Sequence, residues 1–268
     1  MPSPLLPLLL LGYFAGTLGS AIGIGGGLII TPVLTLFLDV PIHQAIGTSL
    51  LCAIATSIGA ASRYVQEGLA DVRLGLTLEF GTTVGAISGA FFAGLLSREI
   101  LAALFSILLV GAVVSILRKM RSSSSLEITD HQIRAGEIPQ YQIKRIPAGV
   151  GLSFVSGNVS GLLGVGGGVV NIPLMYVVMR VPFKIAGATS IFMMGVTAAA
   201  SAFIYYGRGD VAWWITAPVA VGIFAGTRTG TLILRRVPSR WLMSAFALVA
   251  LYFAARMIYR VLEGGFQP

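Results

Sequence analysis

Long stretches without a charged side chain constrain the fold of this chain more than any other feature. Residues 1–38, 146–179 and 185–207 contain no Asp, Glu, Lys or Arg. Uncharged apolar runs of about 18 or more residues are typical of membrane-spanning helices. Charged residues make up 10% of the 268 residues, against about 25% in soluble globular chains. The sequence therefore predicts an all-α, polytopic integral membrane protein.

Two of these stretches contain a cluster of glycines. The clusters lie at residues 23–27 and 164–168, and a proline follows each of them, Pro32 and Pro173. As one straight helix, residues 5–38 would extend about 50 Å, well beyond a hydrocarbon core of about 30 Å. We therefore predict that each run forms two shorter helices that meet at the glycines, either as a hairpin that turns within the membrane or as two short spans.

The two glycine clusters belong to an internal duplication with an offset of 141 residues. The clearest other pairs are Gly16 and Gly157, Pro41 and Pro182, Thr48 and Thr189, Ser49 and Ser190, Thr56 and Thr197, and Tyr64 and Tyr205. Three apolar segments follow the broken element in each half, at 44–64, 74–96 and 100–117 and at 185–206, 211–234 and 241–260. We predict two membrane repeats, 1–117 and 147–268, joined by a polar linker, 118–146.

The distribution of Lys and Arg predicts the orientation in the membrane. If each broken element enters and leaves on one side, each half crosses an odd number of times and the two repeats are inverted. With the linker in the cytoplasm, thirteen of the 18 Lys and Arg side chains lie inside and four outside, in line with the positive-inside rule. Both termini then lie outside. The N-terminal run lacks the basic stretch and cleavage site of a signal peptide, so we expect a retained span.

Several classes of function lack the residues that they need. The net charge of +8 reflects Lys and Arg at span ends and does not indicate a nucleic-acid partner. The sequence has no His-Glu-x-x-His motif and no phosphate-binding loop, and no predicted span contains an aspartate pair. We therefore expect neither an enzyme nor a cofactor or metal site. The single cysteine, Cys52, excludes a disulfide framework.

The helices that restart after the glycine clusters predict an anion site. A helix that begins at Leu28 or Val169 presents unpaired N–H groups and the positive end of its dipole, which favour anions, and a glycine turn can form an anion-holding nest. The alternative is that the glycines only permit close packing, although packing glycines usually recur every fourth residue. The candidate backbone ligands are Gly25, Gly26, Gly27, Gly166, Gly167 and Gly168.

Small polar side chains near the clusters are further candidates. The hydroxyl candidates are Thr48, Ser49, Thr189 and Ser190. They can donate hydrogen bonds to an oxyanion; the alternatives are hydrogen bonds within their own helix or packing between helices. Asn171 follows the second cluster and has no polar equivalent, because Ile30 occupies the matching position. If Asn171 binds the substrate, the site is asymmetric.

Charged side chains within spans are functional candidates by default. Arg228 is a candidate for attracting an anion, and Glu79 is a candidate for coupling transport to a proton or a cation. The alternatives are that Arg228 extends to the cytoplasmic surface or pairs with Glu79. His43 and Lys184 occupy equivalent turns between apolar segments, where we expect solvated side chains; the alternative is a role in gating. Asp71 and Asp210 are expected to cap the helices that follow them.

The duplicated pattern resembles that of a known family. Each copy reads Gly-x6-Gly-x-Gly-Gly-Gly-x4-Pro, beginning at Gly16 and Gly157, and is followed by Ala-x2-Thr-Ser, beginning at Ala45 and Ala186. In this pattern the chain resembles the TauE/SafE-type sulfite and organosulfur-anion transporters, also grouped as toluene-sulfonate uptake permeases. The resemblance implies a permease of the bacterial inner membrane for small sulfur-containing anions such as sulfite, thiosulfate, sulfonates or sulfoacetate.

Two transport mechanisms fit these residues. In the first, a secondary transporter holds the anion at two converging glycine-rich breaks and works by alternating access. In the alternative, the same site belongs to a passive anion channel. The expected partners are a small anionic substrate, the lipid bilayer and, for the transporter, a coupling proton or cation.

Overall fold

The computed structural model of the chain describes residues 5–120 and 141–262, and these residues form helices without a strand. The first half contains α1 (Leu5–Ile22), α2 (Gly27–Phe37), α3 (Ile42–Gln66), α4 (Val72–Ala93) and α5 (Arg98–Met120). The second half contains α6 (Ile146–Leu163), α7 (Gly168–Pro173), α8 (Phe183–Gly207), α9 (Trp213–Arg236) and α10 (Ser239–Leu262). A π-helical turn, Leu174–Val178, continues α7. At the offset of 141 residues, α1–α5 correspond to α6–α10.

Within the described residues, eight helices are long and apolar enough to cross a membrane, namely α1, α3, α4, α5, α6, α8, α9 and α10. Two shorter apolar helices, Gly27–Phe37 and Gly168–Val178, follow the glycine clusters. The predicted all-α polytopic fold is therefore confirmed. The helices restart at Gly27 and Gly168, one residue earlier than predicted.

The segment predicted as a polar linker joins the two halves. Its residues 121–140 lie outside the described residues. Just before α6, the hydroxyl of Tyr141 donates a 2.6 Å hydrogen bond to Oδ2 of Asp71. Burial and the neighbouring carboxylate raise the pKa of Tyr141, so the phenol stays protonated and remains a donor. This bond ties the chain before α6 to the start of α4.

Aspartate caps α4 but not α9. The Oδ1 atom of Asp71 accepts a 2.9 Å hydrogen bond from the N–H of Leu74, as predicted. The N-cap prediction for Asp210 is wrong, because the residue that precedes α9 is Ala212. Asp210 lies two residues before the position equivalent to Asp71, and it forms an ion pair with Arg208 at 3.1 Å instead.

Small residues bring α1 against α9 and α4 against α6. The glycines in these contacts are spaced four residues apart and include Gly12, Gly16, Gly81, Gly85, Gly89, Gly157, Gly161, Gly222, Gly226 and Gly230. A Cβ atom on Gly12 would lie 2.1 Å from the carbonyl oxygen of Val219, and one on Gly85 would lie 2.0 Å from that of Phe154. Any side chain at these positions would separate the helices, as expected for small-residue packing between membrane helices.

Hydrogen bonds between the halves come in equivalent pairs. The Oγ1 atom of Thr48 accepts a 3.2 Å hydrogen bond from the N–H of Ala212. Its equivalent, Thr189, accepts a 2.9 Å hydrogen bond from the N–H of Asp71, which is the residue equivalent to Ala212. Each bond becomes the other when the halves are exchanged. The contacts between the two halves are therefore reciprocal at this pair of positions.

The equivalent helices α3 and α8 run in opposite directions. Near the start of α3, Gly47 packs against the carbonyl of Asp210, which follows the end of α8. Further along α3, Ser57 donates a 2.7 Å hydrogen bond to the carbonyl of Ile191 in the first half of α8. Because contacts move toward the start of α8 as the chain proceeds along α3, the two helices are antiparallel.

Candidate functional site

The two glycine clusters contact each other through equivalent pairs of residues. A Cβ atom on Gly27 would lie 2.7 Å from the carbonyl oxygen of Gly164. A Cβ atom on Gly168, the equivalent of Gly27, would lie 2.8 Å from the carbonyl oxygen of Gly23. The clusters and the residues around them are buried. We call the two clusters the first break, residues 23–27, and the second break, residues 164–168.

One side of both breaks is covered by an apolar side chain. A Cβ atom on Gly25 would lie 2.5 Å from the sulfur of Met194, and one on Gly166 would lie 2.9 Å from the same sulfur. Met194 is fully buried. The positions Gly25 and Gly166 therefore face an apolar contact, and polar atoms for a ligand must come from other sides of the breaks.

In the first break most backbone donors already have an acceptor. The N–H groups of Gly23, Ile24 and Gly25 all point to the carbonyl oxygen of Gly19, at 3.0, 3.1 and 3.1 Å. In the described chain, the next three N–H groups, at residues 26–28, have no acceptor.

The second break leaves more backbone N–H groups without an acceptor. The N–H of Gly164 donates to the carbonyl oxygen of Ser160 at 2.8 Å, and the five N–H groups that follow, at residues 165–169, have no acceptor within the described chain. The backbone also differs, because Gly167 has a φ of 84° whereas the equivalent Gly26 has a φ of −69°. Two clusters with the same glycine pattern therefore present different numbers of free donors.

Buried polar side chains lie on the second break's flanking helices and on α8. Within the described part of the chain, four of them leave an oxygen without a hydrogen-bond partner, namely the side chains of Ser156, Ser160, Asn171 and Ser190. Each is at most 1% exposed. A Cβ atom on Gly167 would lie 3.1 Å from Nδ2 of Asn171 and 3.7 Å from Oγ of Ser160. Because an unsatisfied buried polar group costs about 1–3 kcal/mol, such a cluster requires partners from water, an ion or a ligand.

The equivalent positions beside the first break are apolar. Ala15, Gly19 and Ile30 replace Ser156, Ser160 and Asn171. A Cβ atom on Gly26 would lie 3.3 Å from Cδ1 of Ile30 and 3.5 Å from Cβ of Ala15. The asymmetry at Asn171 was predicted from the sequence, whereas the two serines were not among the predicted candidates. Their signal was available in the repeat, since each serine replaces a residue without a hydroxyl.

Three of the four hydroxyl candidates already have partners. The Oγ1 atoms of Thr48 and Thr189 accept the backbone hydrogen bonds that join the two halves. Ser49 donates a 2.7 Å hydrogen bond to the carbonyl oxygen of Gly164. Ser190, the equivalent of Ser49, leaves its Oγ without a partner. Ser49 has therefore used its O–H donor, Thr48 and Thr189 act only as acceptors in these bonds, and Ser190 is the one of the four without any partner in the described chain.

Glu79 lies on α4, and its side chain contacts α8. Its Oε1 accepts hydrogen bonds from Thr83, at 3.0 Å, and from Thr197 of α8, at 2.7 Å. Its Oε2 is buried without a partner. Arg228 is exposed on α9, and no ion pair joins these two residues of the described chain. Arg228 therefore does not pair with Glu79.

The prediction of a solvated side chain at Lys184 is wrong. Lys184 is 1% exposed, because the start of α8 is packed inside the bundle. The equivalent residue, His43, is half-buried, and its Nε2 lies 3.2 Å from the carbonyl oxygen of Ala93. The sequence could not distinguish a turn at the membrane surface from a turn covered by neighbouring helices.

An apolar cavity adjoins the point where the breaks meet. It lies between α5 and α7, and its walls include Ile24, Ala112, Gly168 and Phe183. Most of its lining is aliphatic or aromatic. The cavity therefore reaches the breaks from an apolar side and does not contain the buried serine and asparagine cluster.

Residues 8–257 match the sequence pattern of the family described as Sulfite exporter TauE/SafE. The chain is 30% identical over 264 residues to the probable membrane transporter protein YunE of Bacillus subtilis, with 94% of this chain and 96% of that protein covered. It is 28% identical over 272 residues to a probable membrane transporter protein of Haemophilus influenzae, with 94% and 97% covered. No solved structure matches the chain. With its apolar helices, the chain is an integral membrane transporter that belongs to the sulfite exporter TauE/SafE family.

Proposed function

We propose that the chain is a secondary transporter of a small sulfur-containing oxyanion, of the sulfite, thiosulfate, sulfonate or sulfoacetate class. The observation that carries the proposal is the set of free N–H groups at residues 165–169, next to buried polar side chains without partners. The name of the family, which includes sulfite, supports the class of substrate. The membrane is proposed to be the bacterial inner membrane.

The donor chemistry favours an anion over a cation or a neutral solute. The free backbone groups are N–H groups, which donate and do not accept hydrogen bonds. Ser160 supplies a hydroxyl, and Asn171 supplies an amide that can present its Nδ2 to a ligand. Hydrogen bonds to a charged partner contribute about 1.5–3 kcal/mol each, and preorganised donors in a water-poor interior need no reorientation. Several such donors can replace the water that a small oxyanion loses.

Alternating access is the proposed mechanism. The proposal is supported by the equivalent hydrogen bonds that Thr48 and Thr189 accept from the opposite half, and by the antiparallel directions of α3 and α8. Both are expected of two halves that are inverted in the bilayer. We place the linker in the cytoplasm and both termini outside. Rocking of one half against the other about the meeting point of the breaks would then open the site to each side in turn.

Glu79 is the proposed coupling residue. An ionisable side chain within a membrane helix is costly and therefore usually functional. Oε1 of Glu79 accepts hydrogen bonds from Thr83 and Thr197, and Oε2 is buried without a partner in the described chain. A proton or a cation bound at Oε2 would neutralise the carboxylate. Because Thr197 belongs to α8, the charge of Glu79 acts on the contact between the halves.

The test is transport by the purified full chain in proteoliposomes. Radiolabelled sulfite, thiosulfate, sulfate and methanesulfonate are supplied outside, with and without unlabelled anion inside. Saturable uptake that accelerates when unlabelled anion is present inside supports the transporter. Flux that rises linearly with concentration and ignores internal anion supports a passive channel. If no sulfur anion enters faster than into protein-free vesicles, the proposal fails.

A further inference from the structure

We infer that the second half alone holds the anion, through Ser156, Ser160 and Asn171 and the N–H groups of residues 165–169. The first break then has a structural role and does not form a second, equivalent site. This inference rests on the proposed function and specifies where its substrate binds.

The cause of the asymmetry is the residue at one position of the repeat, Gly19 in the first half and Ser160 in the second. A Cβ atom on Gly19 would lie 2.4 Å from the carbonyl carbon of Gly25 and 2.5 Å from the nitrogen of Gly26. The first break folds back onto Gly19 because Gly19 has no side chain, and three N–H groups then reach its carbonyl oxygen. Ser160 carries a Cβ atom, so the second break cannot take this path.

The different path leaves free backbone donors beside the second break. Gly167 adopts the left-handed φ of 84°, and the N–H groups of residues 165–169 have no acceptor in the described chain. The nearest atoms to a Cβ position on Gly167 are Nδ2 of Asn171 at 3.1 Å and the side chain of Ser160 at 3.7 Å. A carbon atom at this position would be in tight contact with Nδ2, whereas an acceptor oxygen at 3.1 Å from Nδ2 would be within hydrogen-bond distance.

Ser156 is the third polar side chain on this side of the second break, and we call Ser156, Ser160 and Asn171 the polar wall. Ser156 lies one helical turn before Ser160 on α6, so the two hydroxyls share a helix face. In the first half, the equivalent Ala15 lies 3.5 Å from the Cβ position on Gly26. The side chains of Ser156, Ser160 and Asn171 are at least 99% buried. In the described part of the chain, the two hydroxyls and Oδ1 of Asn171 have no partner; the hydroxyls can donate to an anion, and Asn171 can donate through Nδ2. An oxygen of the anion placed beside Gly167 would accept hydrogen bonds from this wall and from the backbone.

The first repeat supplies the design of the test. Ser156→Ala and Asn171→Ile give the second half the side chains of the first, and Ser160→Ala removes the third polar group. Ser153→Ala is the matched control, because Ser153 lies on the same helix and its hydroxyl already donates to the carbonyl of Val150 at 2.7 Å. Binding of sulfite, thiosulfate, sulfate and methanesulfonate to the purified full-length protein is measured by calorimetry, together with the melting temperature without anion.

For the anion that the wild-type protein binds, we expect Ser160→Ala and Asn171→Ile to lower the affinity about tenfold or more, because each removes a donor to a charged ligand. Ser153→Ala should leave the affinity within about twofold. Ser160→Ala should also keep or raise the melting temperature without anion, since it removes an unsatisfied buried hydroxyl. A purely structural serine would not combine weaker binding with an equal or higher melting temperature.

Two results would overturn the inference, and they are distinguishable. If the wild-type protein binds an anion and both Ser160→Ala and Asn171→Ile bind it with unchanged affinity, the one-sided site is wrong while the proposed function stands. If the wild-type protein binds none of the four anions, the proposed function fails and this inference fails with it.

Discussion

The contact between the two breaks gives a prediction about a single methyl group. Gly27→Ala would place a Cβ atom 2.6 Å from Oγ of Ser49 and 2.7 Å from the carbonyl oxygen of Gly164. Ser49 and Gly164 are joined by a 2.7 Å hydrogen bond, so the methyl group must break this bond or push the two breaks apart. Overpacking costs about 1–3 kcal/mol, and the lost hydrogen bond costs about 0.5–1.5 kcal/mol. We therefore expect a destabilisation of about 2–4 kcal/mol.

Gly26→Ala is the matched control, one residue away. Gly26 has a φ of −69° and a ψ of −18°, which alanine adopts without strain. The nearest atom to its Cβ position is the terminal Cδ1 of Ile30, at 3.3 Å, and this side-chain end can shift. Alanine also reduces the entropy of the unfolded chain, which stabilises by about 0.4–1 kcal/mol. The stability of Gly26→Ala should therefore stay close to that of the wild-type protein.

The assay is thermal denaturation of the purified protein in detergent, followed by the fraction that remains monodisperse on size-exclusion chromatography. For a chain of this size, about 2–4 kcal/mol corresponds to a fall in the melting temperature of about 5–15 °C. Gly27→Ala should show this fall and Gly26→Ala should not. Equal melting temperatures for the two variants would refute the reasoning, because they would mean that the breaks do not touch at Gly27.

Three further predictions concern residues away from the breaks. Glu79→Gln should abolish the stimulation of uptake by a proton or cation gradient while anion exchange across the membrane continues; unchanged stimulation would exclude Glu79 as the coupling group. Thr48→Val and Thr189→Val should each lower the melting temperature by a similar amount, since each removes an equivalent hydrogen bond worth about 0.5–1.5 kcal/mol. Clearly unequal losses in thermal denaturation would count against the reciprocal packing of the two halves. Tyr141→Phe should destabilise by a similar energy, with no change of the effect between about pH 7 and 9, because a raised phenol pKa keeps Tyr141 protonated there; an effect that disappears by pH 9 would contradict this.

The helical part of the fold was predictable because its signals are local. Apolar runs and glycine clusters indicate spans and breaks without knowledge of neighbours, and the helices restart at Gly27 and Gly168, one residue from the predicted positions. The N-cap at Asp71 was equally local. The N-cap prediction at Asp210 fails because Asp210 lies two residues before the position that the repeat offset pairs with Asp71. Local motifs are reliable here only when they keep that offset.

The candidate site was predictable only in part, because hydrogen-bond partners come from distant parts of the chain. The sequence predicts Thr48 as a ligand hydroxyl, yet its oxygen accepts a hydrogen bond from the N–H of Ala212 in the other half. Lys184 looks solvated, yet packing buries it. Asn171 was predicted as a candidate because the equivalent residue of the first repeat, Ile30, is apolar. Ser156 and Ser160 were missed because serine in a membrane helix usually bonds to its own backbone.

A single β-carbon, present at Ser160 and absent at Gly19, has a consequence for the transport cycle. In a transporter of two inverted halves with equivalent sites, the inward-open state is the outward-open state with the roles of the halves exchanged. Under the proposed alternating access, the exchange would place the polar side chains on one side and Ala15 and Ile30 on the other, so the two open states would not be equivalent. We then expect capture and release of the solute to have different rates at the two membrane faces. The gradients would still set the overall equilibrium, but the rate of transport would depend on its direction.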